Sequence, residues 1–108
     1  MTIYCEHMVR YVVPALRMLI SRQLSEKYSL NQIQVARMLN VTQPSVSNYM
    51  GRRKGSVKIR RYLSNSVVNE YAGNMARKLF EKGLSLKELE ADICSLCAEL
   101  RKGGYLTG

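Results

Sequence analysis

Length, composition and charge exclude several classes of protein. The chain has 108 residues, enough for one ordinary domain, and 46% of them are hydrophobic, which indicates a folded rather than a disordered chain. Lys and Arg number 17 against 8 acidic residues, a net charge of +9. No apolar stretch approaches a membrane span, and Glu6, His7 and Arg10 interrupt any early apolar run. We therefore expect no membrane partner, no signal peptide and a cytoplasmic location.

The positive charge is concentrated in one segment. Residues 1–50 carry a net charge of +3, residues 51–61 carry +6 from six basic side chains and no acidic one, and residues 62–108 are neutral. A basic block of this kind is typical of surfaces that contact the phosphates of nucleic acid. On its own, the block is equally compatible with a solvated loop.

The hydrophobic periodicity predicts an all-α fold with about five helices and no convincing strand, in a single helical domain spanning 1–108. The first helix is predicted from about Tyr4 to Lys27, with a kink or break at Pro14. Residues 57–63 are predicted to form a short helical or irregular link. A fourth helix is predicted from about Ser66 to Lys82.

Polar residues mark the ends of the second and third helices. Asn31 is a strong N-cap, because its side-chain oxygen accepts a backbone N–H of the first turn. Asn40 ends the second helix, since Asn tolerates the left-handed conformation. Thr42 is predicted to cap the third helix, with Pro44 in the first turn, where its missing N–H is not needed.

The segment QIQVARMLNVTQPSVSNYM, residues 32–50, meets the demands of a helix-turn-helix motif. Ala36 is small where the second helix of the motif crosses the first, and Asn40 stands where the turn requires a positive φ. The inner faces of the two helices need apolar residues, which are supplied by Val35, Leu39, Val41, Val46 and Tyr49.

This segment resembles the helix-turn-helix of Xre and lambda-repressor-like transcription regulators. In that family the pattern Q-x-x-V-A-x-x-L-x-V-T-Q-x-x-V-S-x-Y is followed by a basic turn, here residues 51–55. The whole chain is similar to small archaeal predicted regulators that share an N-terminal Cys-Glu, a Leu-Pro-Ala-Ile-Arg-like stretch and a late Cys-x-x-Cys. Those parts are here Cys5-Glu6, residues 13–17, and Cys94 to Cys97.

The resemblance implies a lambda-repressor-like domain, with the motif and its basic turn at 30–55 and a helical extension at its C-terminal end. It also implies binding to double-stranded DNA. Two departures from the family pattern are visible. Asn40 replaces the usual Gly, and Pro44 removes a hydrogen-bond donor among the base-facing residues.

The third helix is predicted to lie in the major groove. Gln43 and Asn48 each carry an amide that can bond bidentately to adenine. The predicted base-contacting residues are Thr42, Gln43, Pro44, Ser45, Ser47 and Asn48. The predicted phosphate-contacting residues are Gln32, Arg52, Arg53, Lys54 and Lys58.

The three cysteines allow several interpretations. Cys94 and Cys97 lie one helical turn apart, so with Cys5 they could bind zinc or an iron–sulfur cluster, and His7 or a partner subunit would supply a fourth ligand. The same cysteines could form a disulfide or thiol switch. They could also be small apolar residues that only pack, because free Cys is commonly buried. A lone His such as His7 is more often an ordinary surface residue than a ligand.

The last helix is predicted to begin at Ser85, whose capping box with Glu88 satisfies two backbone N–H groups. Its apolar residues recur at spacings of 3 and 4, so they form one stripe that packs within the monomer or against a twin chain. Regulators of the resembled type usually bind as dimers, which favours a homodimer built from the helices of 64–103. The predicted dimerisation residues are Leu89, Ile93, Leu96 and Leu100.

No catalytic constellation is apparent: there is one His, no Gly-rich phosphate loop and no HExxH motif. We therefore expect a protein that is not an enzyme. The leading hypothesis is a sequence-specific DNA-binding regulator that acts as a homodimer. The alternatives are a redox- or metal-sensing regulator that uses the cysteines, and an antitoxin-like or adaptor protein whose main partner is another protein.

Overall fold

A computed structural model describes residues 6–51 and 57–105, and every regular element in these ranges is helical. A π-helical turn, Met8–Val12, precedes the first α-helix, and a 3-10 turn, Lys87–Leu89, precedes the last. The all-α prediction is confirmed, although the described part of the chain has six α-helices where about five were expected. They are α1 (Val13–Tyr28), α2 (Gln32–Leu39), α3 (Gln43–Met50), α4 (Val57–Leu63), α5 (Ser66–Glu81) and α6 (Glu90–Lys102).

Pro14 changes the winding of the first helix and does not end it. The chain is already helical at Glu6, and the Val13 N–H donates to the Met8 carbonyl five residues earlier, which closes a wide π turn. Pro14 then lies in the first turn of α1. A proline is tolerated there because a backbone N–H in the first turn has no helical acceptor. A π turn is one way in which a helix absorbs a local defect and continues.

Helix α1 lies at the centre of the fold. It packs against α2, α3, α4 and α5, with its most extensive contact on α5. A helix that has neighbours on several sides must be apolar on several faces, and α1 meets that demand. Each fully buried Leu or Ile adds about 1.5–3 kcal/mol of transfer free energy. The buried residues of α1 are Ala15, Leu16, Met18, Leu19, Ile20, Ser21 and Leu24.

The predicted dimerisation stripe is wrong, because it belongs to the core of the single chain. Helix α6 packs against α5, and Lys78 Nζ lies 2.8 Å from Asp92 Oδ2 at the edge of that contact. A 3-and-4 spacing shows which face of a helix must be buried, but not which surface covers it. The exposed fractions within the monomer are 3% for Leu89, 5% for Ile93, 0% for Leu96 and 0% for Leu100.

The capping box at Ser85 forms as predicted. The Ser85 N–H donates to Glu88 Oε1 at 2.9 Å, and the Glu88 N–H donates to Ser85 Oγ at 3.3 Å. The turn that it opens is 3-10 in character, and the α-helical hydrogen bonds begin only at Glu90. The predicted capping residues are therefore correct, but the α-helix itself begins a few residues later than predicted.

A chain of hydrogen bonds joins both ends of the described chain to α4. The Tyr62 hydroxyl donates to the Tyr105 carbonyl at 2.8 Å, so it accepts from His7 Nε2, which lies at 2.7 Å. His7 also packs on the Tyr11 ring, with centroids 4.8 Å apart. Burial, and then the positive charge of Lys58, lower the pKa of His7. His7 is thus a half-buried structural residue and not an ordinary surface one.

We predict that Leu96→Asp unfolds the monomer, because it places a carboxylate in a site with no exposed surface. Leu96→Ala should lower the free energy of unfolding by about 2–5 kcal/mol. Ser95→Asp, on the exposed side of the same helix, is the matched control and should stay within about 0.5 kcal/mol of the parent. Urea unfolding measures the stability of all three variants. If the Leu96→Asp protein stays folded but sediments as a monomer where the parent sediments as a dimer, the stripe on α6 would be the dimer surface after all.

Candidate nucleic-acid interface

The start of α2 is fixed by the capping residue that the sequence predicts. Asn31 Oδ1 accepts from the Gln34 N–H at 2.8 Å, and Gln34 Oε1 accepts from the Asn31 N–H at 2.9 Å. A helix start leaves four N–H groups without an intrahelical partner, and this box satisfies the first and the last. The N–H groups of Gln32 and Ile33 lie between them and remain available to an external acceptor.

The turn between α2 and α3 also forms as predicted. Asn40 adopts the left-handed conformation, with φ 55° and ψ 47°, and its N–H returns to the end of α2. The Val41 N–H donates to the Ala36 carbonyl at 3.0 Å. Thr42 Oγ1 then accepts from the Ser45 N–H at 3.3 Å and caps α3. A three-residue turn therefore sets α3 directly against α2.

Helix α3 has one buried and one exposed face. Val46 is completely buried, since α3 packs against both α1 and α2. Four predicted base-contacting residues are exposed, and they form two pairs at i, i+4 spacing, which places them on one face. These residues are Gln43, Pro44, Ser47 and Asn48.

A side-chain hydrogen bond connects this face to the start of α2. Gln43 Nε2 donates to Gln32 Oε1 at 2.7 Å, although the two residues are 11 positions apart. The bond leaves the second N–H and the carbonyl oxygen of Gln43, and both N–H groups of Gln32, for an external partner. The predicted base contact and the predicted phosphate contact are therefore one connected unit.

Two of the six predicted base-contacting residues have a structural role. The Thr42 hydroxyl caps α3 and lies 2.9 Å from Ser45 Oγ, and Ser45 is half-buried. The hydroxyl of Ser45 is engaged with that of Thr42 in the cap, and its contact with a base stays a prediction. Thr42 remains exposed, so its methyl group is open to contact.

The predicted phosphate contacts are only partly within the described chain. Arg52, Arg53 and Lys54 lie outside the described residues. Lys58 is exposed, with Nζ 5.1 Å from the centre of the Tyr11 ring. The structure therefore brings Lys58 close to the π-helical turn Met8–Val12. Its contact with phosphate stays a prediction.

Ile33 is an exposed residue that the sequence reasoning missed. The sequence analysis gave Ile33 no role, and 58% of its surface is exposed, beside Gln32 in the first turn. The spacing carried a usable signal. Ile33 is two positions from the buried Val35, and a separation of two residues on a helix turns the side chain to the opposite face.

The motif carries almost no charge. Of the residue types Asp, Glu, Lys, Arg and His, the segment from Gln32 to Met50 contains only Arg37, which is exposed. A face with amides, a hydroxyl and no carboxylate can approach phosphates without like-charge repulsion.

The cysteines are placed as packing residues where the structure describes them. Cys97 is 6% exposed and Cys94 is half-buried, and neither forms a disulfide within the described residues. Among residues 6–51 and 57–105, no group of three or more His, Cys, Asp or Glu side chains is arranged to hold a metal ion. Cys5, the third predicted ligand, lies outside the described residues.

Comparison of the chain with protein-family models, curated proteins and solved structures finds no match. The resemblance to Xre-like regulators therefore rests on the residues of the motif. Within the described ranges, no helix is both long enough and apolar enough to cross a membrane.

We predict that Thr42 stabilises the fold through its hydroxyl. Thr42→Ala removes the cap of α3 and should lower the free energy of unfolding by about 0.5–2 kcal/mol, whereas Thr42→Ser keeps the acceptor and should cost much less. Ser47→Ala, on the exposed face of the same helix, is the control and should change stability little. Equal stability of Thr42→Ala and the parent in urea unfolding would contradict the capping role.

Proposed function

We propose that the protein is a sequence-specific DNA-binding transcription regulator that places the exposed face of α3 in the major groove and acts as a homodimer. The observation that carries this proposal is the exposed Gln43, hydrogen-bonded to Gln32, on a face that contains no carboxylate. The proposal involves no chemical step, and it includes the cytoplasmic location expected from the sequence.

The amide of Gln43 suits direct base readout. Its free N–H and its carbonyl oxygen form the donor–acceptor pair that matches N7 and N6 of adenine. Because Gln32 holds the other N–H, the amide has less orientational freedom to lose on binding. Asn48 carries the same pair on the same face, and the ring of Pro44 suits the methyl group of thymine.

The start of α2 suits a phosphate. The side-chain N–H groups of Gln32 and the backbone N–H groups of Gln32 and Ile33 can donate to an anion. The positive end of the helix dipole attracts the same anion. Contacts of this kind fix the register of a protein on the duplex. The basic residues of 51–61 would add nonspecific affinity through release of counterions.

A dimer is part of the proposal because α3, with eight residues, covers only a few base pairs. Twofold pairing would place two α3 helices in half-sites roughly 34–36 Å apart. Since the stripe on α6 is buried in the monomer, we assign the dimer surface to the π-helical turn Met8–Val12, where Val9 is 48% exposed.

We predict that Gln43 and Gln32 have separable roles. Gln43→Ala should cost about 1–3 kcal/mol on a duplex enriched from a random pool and little on random duplex. Gln32→Glu keeps an acceptor for Gln43 but places a negative charge near phosphate, so it should weaken binding to both duplexes. Gln23→Ala, on the exposed side of α1, is the control and should bind normally.

Fluorescence anisotropy at fixed salt measures these affinities. An equal loss of affinity on both duplexes for Gln43→Ala would mean that Gln43 only positions the protein. Unchanged binding by Gln32→Glu would remove the start of α2 from the interface.

We predict that the basic block sets the salt dependence of binding. Each phosphate contact contributes about 0.9 to the slope of log K against log salt, so Arg52→Ala with Arg53→Ala should flatten the slope by roughly 2. Arg101→Ala with Lys102→Ala removes the same charge from the exposed end of α6 and is the matched control. Salt-insensitive affinity, or equal flattening by both pairs, would contradict a phosphate surface at 51–61.

A further inference from the structure

A cavity of about 650 Å³ lies beside the helix-turn-helix, and its lining includes residues 37–41 but no residue of α3. Its floor is formed by α1, with Leu16 and Ile20, and by Met75 of α5. One wall is the end of α2 and the turn, residues 37–41, and the other is the capping-box segment and the start of α6, residues 85–93. The volume falls within the range of small-molecule sites, which is roughly 300–1,000 Å³.

The lining of the cavity combines apolar and polar side chains, and it has an excess of positive charge. Arg17, Arg37 and Lys87 line it against a single acid, Glu90, and none of these four forms an ion pair within the described residues. The apolar part of the lining comes mainly from α1, α5 and the turn. An apolar floor beside unpaired cations is complementary to a molecule with an apolar body and a negatively charged group.

Arg17 is the decisive residue. Its Nε atom is buried and has no hydrogen-bond partner among residues 6–51 and 57–105. A buried donor on a charged group destabilises the protein when it has no acceptor. The guanidinium group can donate two parallel hydrogen bonds to a carboxylate. Arg17 comes from the buried helix α1, so its position is set by the core and not by a mobile loop.

We propose that this cavity binds an amphipathic organic anion, a carboxylate on an apolar body, with the carboxylate on Arg17 and the apolar body on the floor of Leu16, Ile20 and Met75. Arg37 and Lys87 face the same cavity from the two walls and add to the attraction of the anion. The single deep guanidinium and the largely apolar floor suit one charged group on a hydrophobic ligand better than a small, fully hydrated anion.

The position of the cavity connects the ligand to DNA binding, an extension that rests on the proposed function. Residues 37–41 form a wall of the cavity and lead directly to Thr42, the cap of α3. A ligand that binds one arrangement of this turn more tightly than another shifts the population of α3 positions. By linkage, it then changes the affinity for DNA by the same factor by which DNA changes the affinity for the ligand.

The binding site is tested without DNA. Phenylbutanoate is titrated into the full chain and followed by amide chemical shifts, with phenylbutanol as the neutral ligand of the same skeleton. We expect saturable binding, with the largest shifts in 37–41 and 85–93, and a preference for the acid of about tenfold or more. In Arg17→Gln the preference for the acid should disappear, whereas Arg22→Gln, outside the cavity lining on the same helix, should keep it.

Two results would overturn the site: equal affinity for acid and alcohol in the parent chain, or an unchanged preference for the acid in Arg17→Gln. If Arg17→Gln does not fold, Lys87→Gln on the exposed wall is used in its place, and a preference for the acid that is not reduced overturns the proposal. Large shifts confined to regions outside the cavity overturn it as well.

The connection to DNA is tested separately, by measuring DNA affinity with and without saturating phenylbutanoate. A several-fold change that is absent in Arg17→Gln supports regulation through the cavity. Acid binding that depends on Arg17 but leaves DNA affinity unchanged overturns the regulatory connection and keeps the site. Acid binding by a protein that does not bind DNA at all overturns the proposed function alone.

Discussion

The burial of α1 determines the position of every other element that bears on function. This helix contacts α2, α3, α4 and α5, and all of its residues from Ala15 to Ser21 except Arg17 are buried. The exposed face of α3 exists because the opposite face, with Val46, is held against α1 and α2. A change that loosens α1 would therefore move the candidate interface and the cavity together.

The parts of the fold that could be predicted from sequence are those set by local chemistry. Asn31, Asn40 and Thr42 end or begin helices because their side chains or φ preferences act within three or four residues, and all three were predicted in these roles. The four exposed residues of α3 were also predicted, since the spacing of Val46 and its neighbours fixes which face is inner. The hydrogen bond between the hydroxyls of Thr42 and Ser45 is also local, but it was not predicted.

The errors concern partners distant in sequence. The apolar stripe of α6 indicates burial, but its spacing is the same whether α5 or a second chain covers it, and the structure shows that this chain covers it. The bond between Gln32 and Gln43, the chain from His7 through Tyr62 to Tyr105, and the cavity around Arg17 also join segments that only the tertiary fold brings together. No local pattern predicts such pairs.

The two proposals share the short turn from Asn40 to Thr42. On one side this turn sets the start of α3 and therefore the position of Gln43, and on the other side it forms a wall of the cavity. A turn of this kind, held by one left-handed residue and one capping hydroxyl, has few ways to move. Ligand binding in the cavity and DNA binding at α3 would therefore both depend on the backbone angles of the turn from Asn40 to Thr42.

The most direct test of the central claim is an amide chemical-shift titration of the full chain with a duplex enriched from a random pool. We predict that the largest shifts fall on the start of α2 and on the exposed face of α3, at Gln32, Ile33, Gln43, Ser47 and Asn48. Shifts concentrated on α5 and α6, or no saturable shifts at concentrations well above those used for nonspecific binding, would contradict the assignment of α3 as the DNA-reading helix.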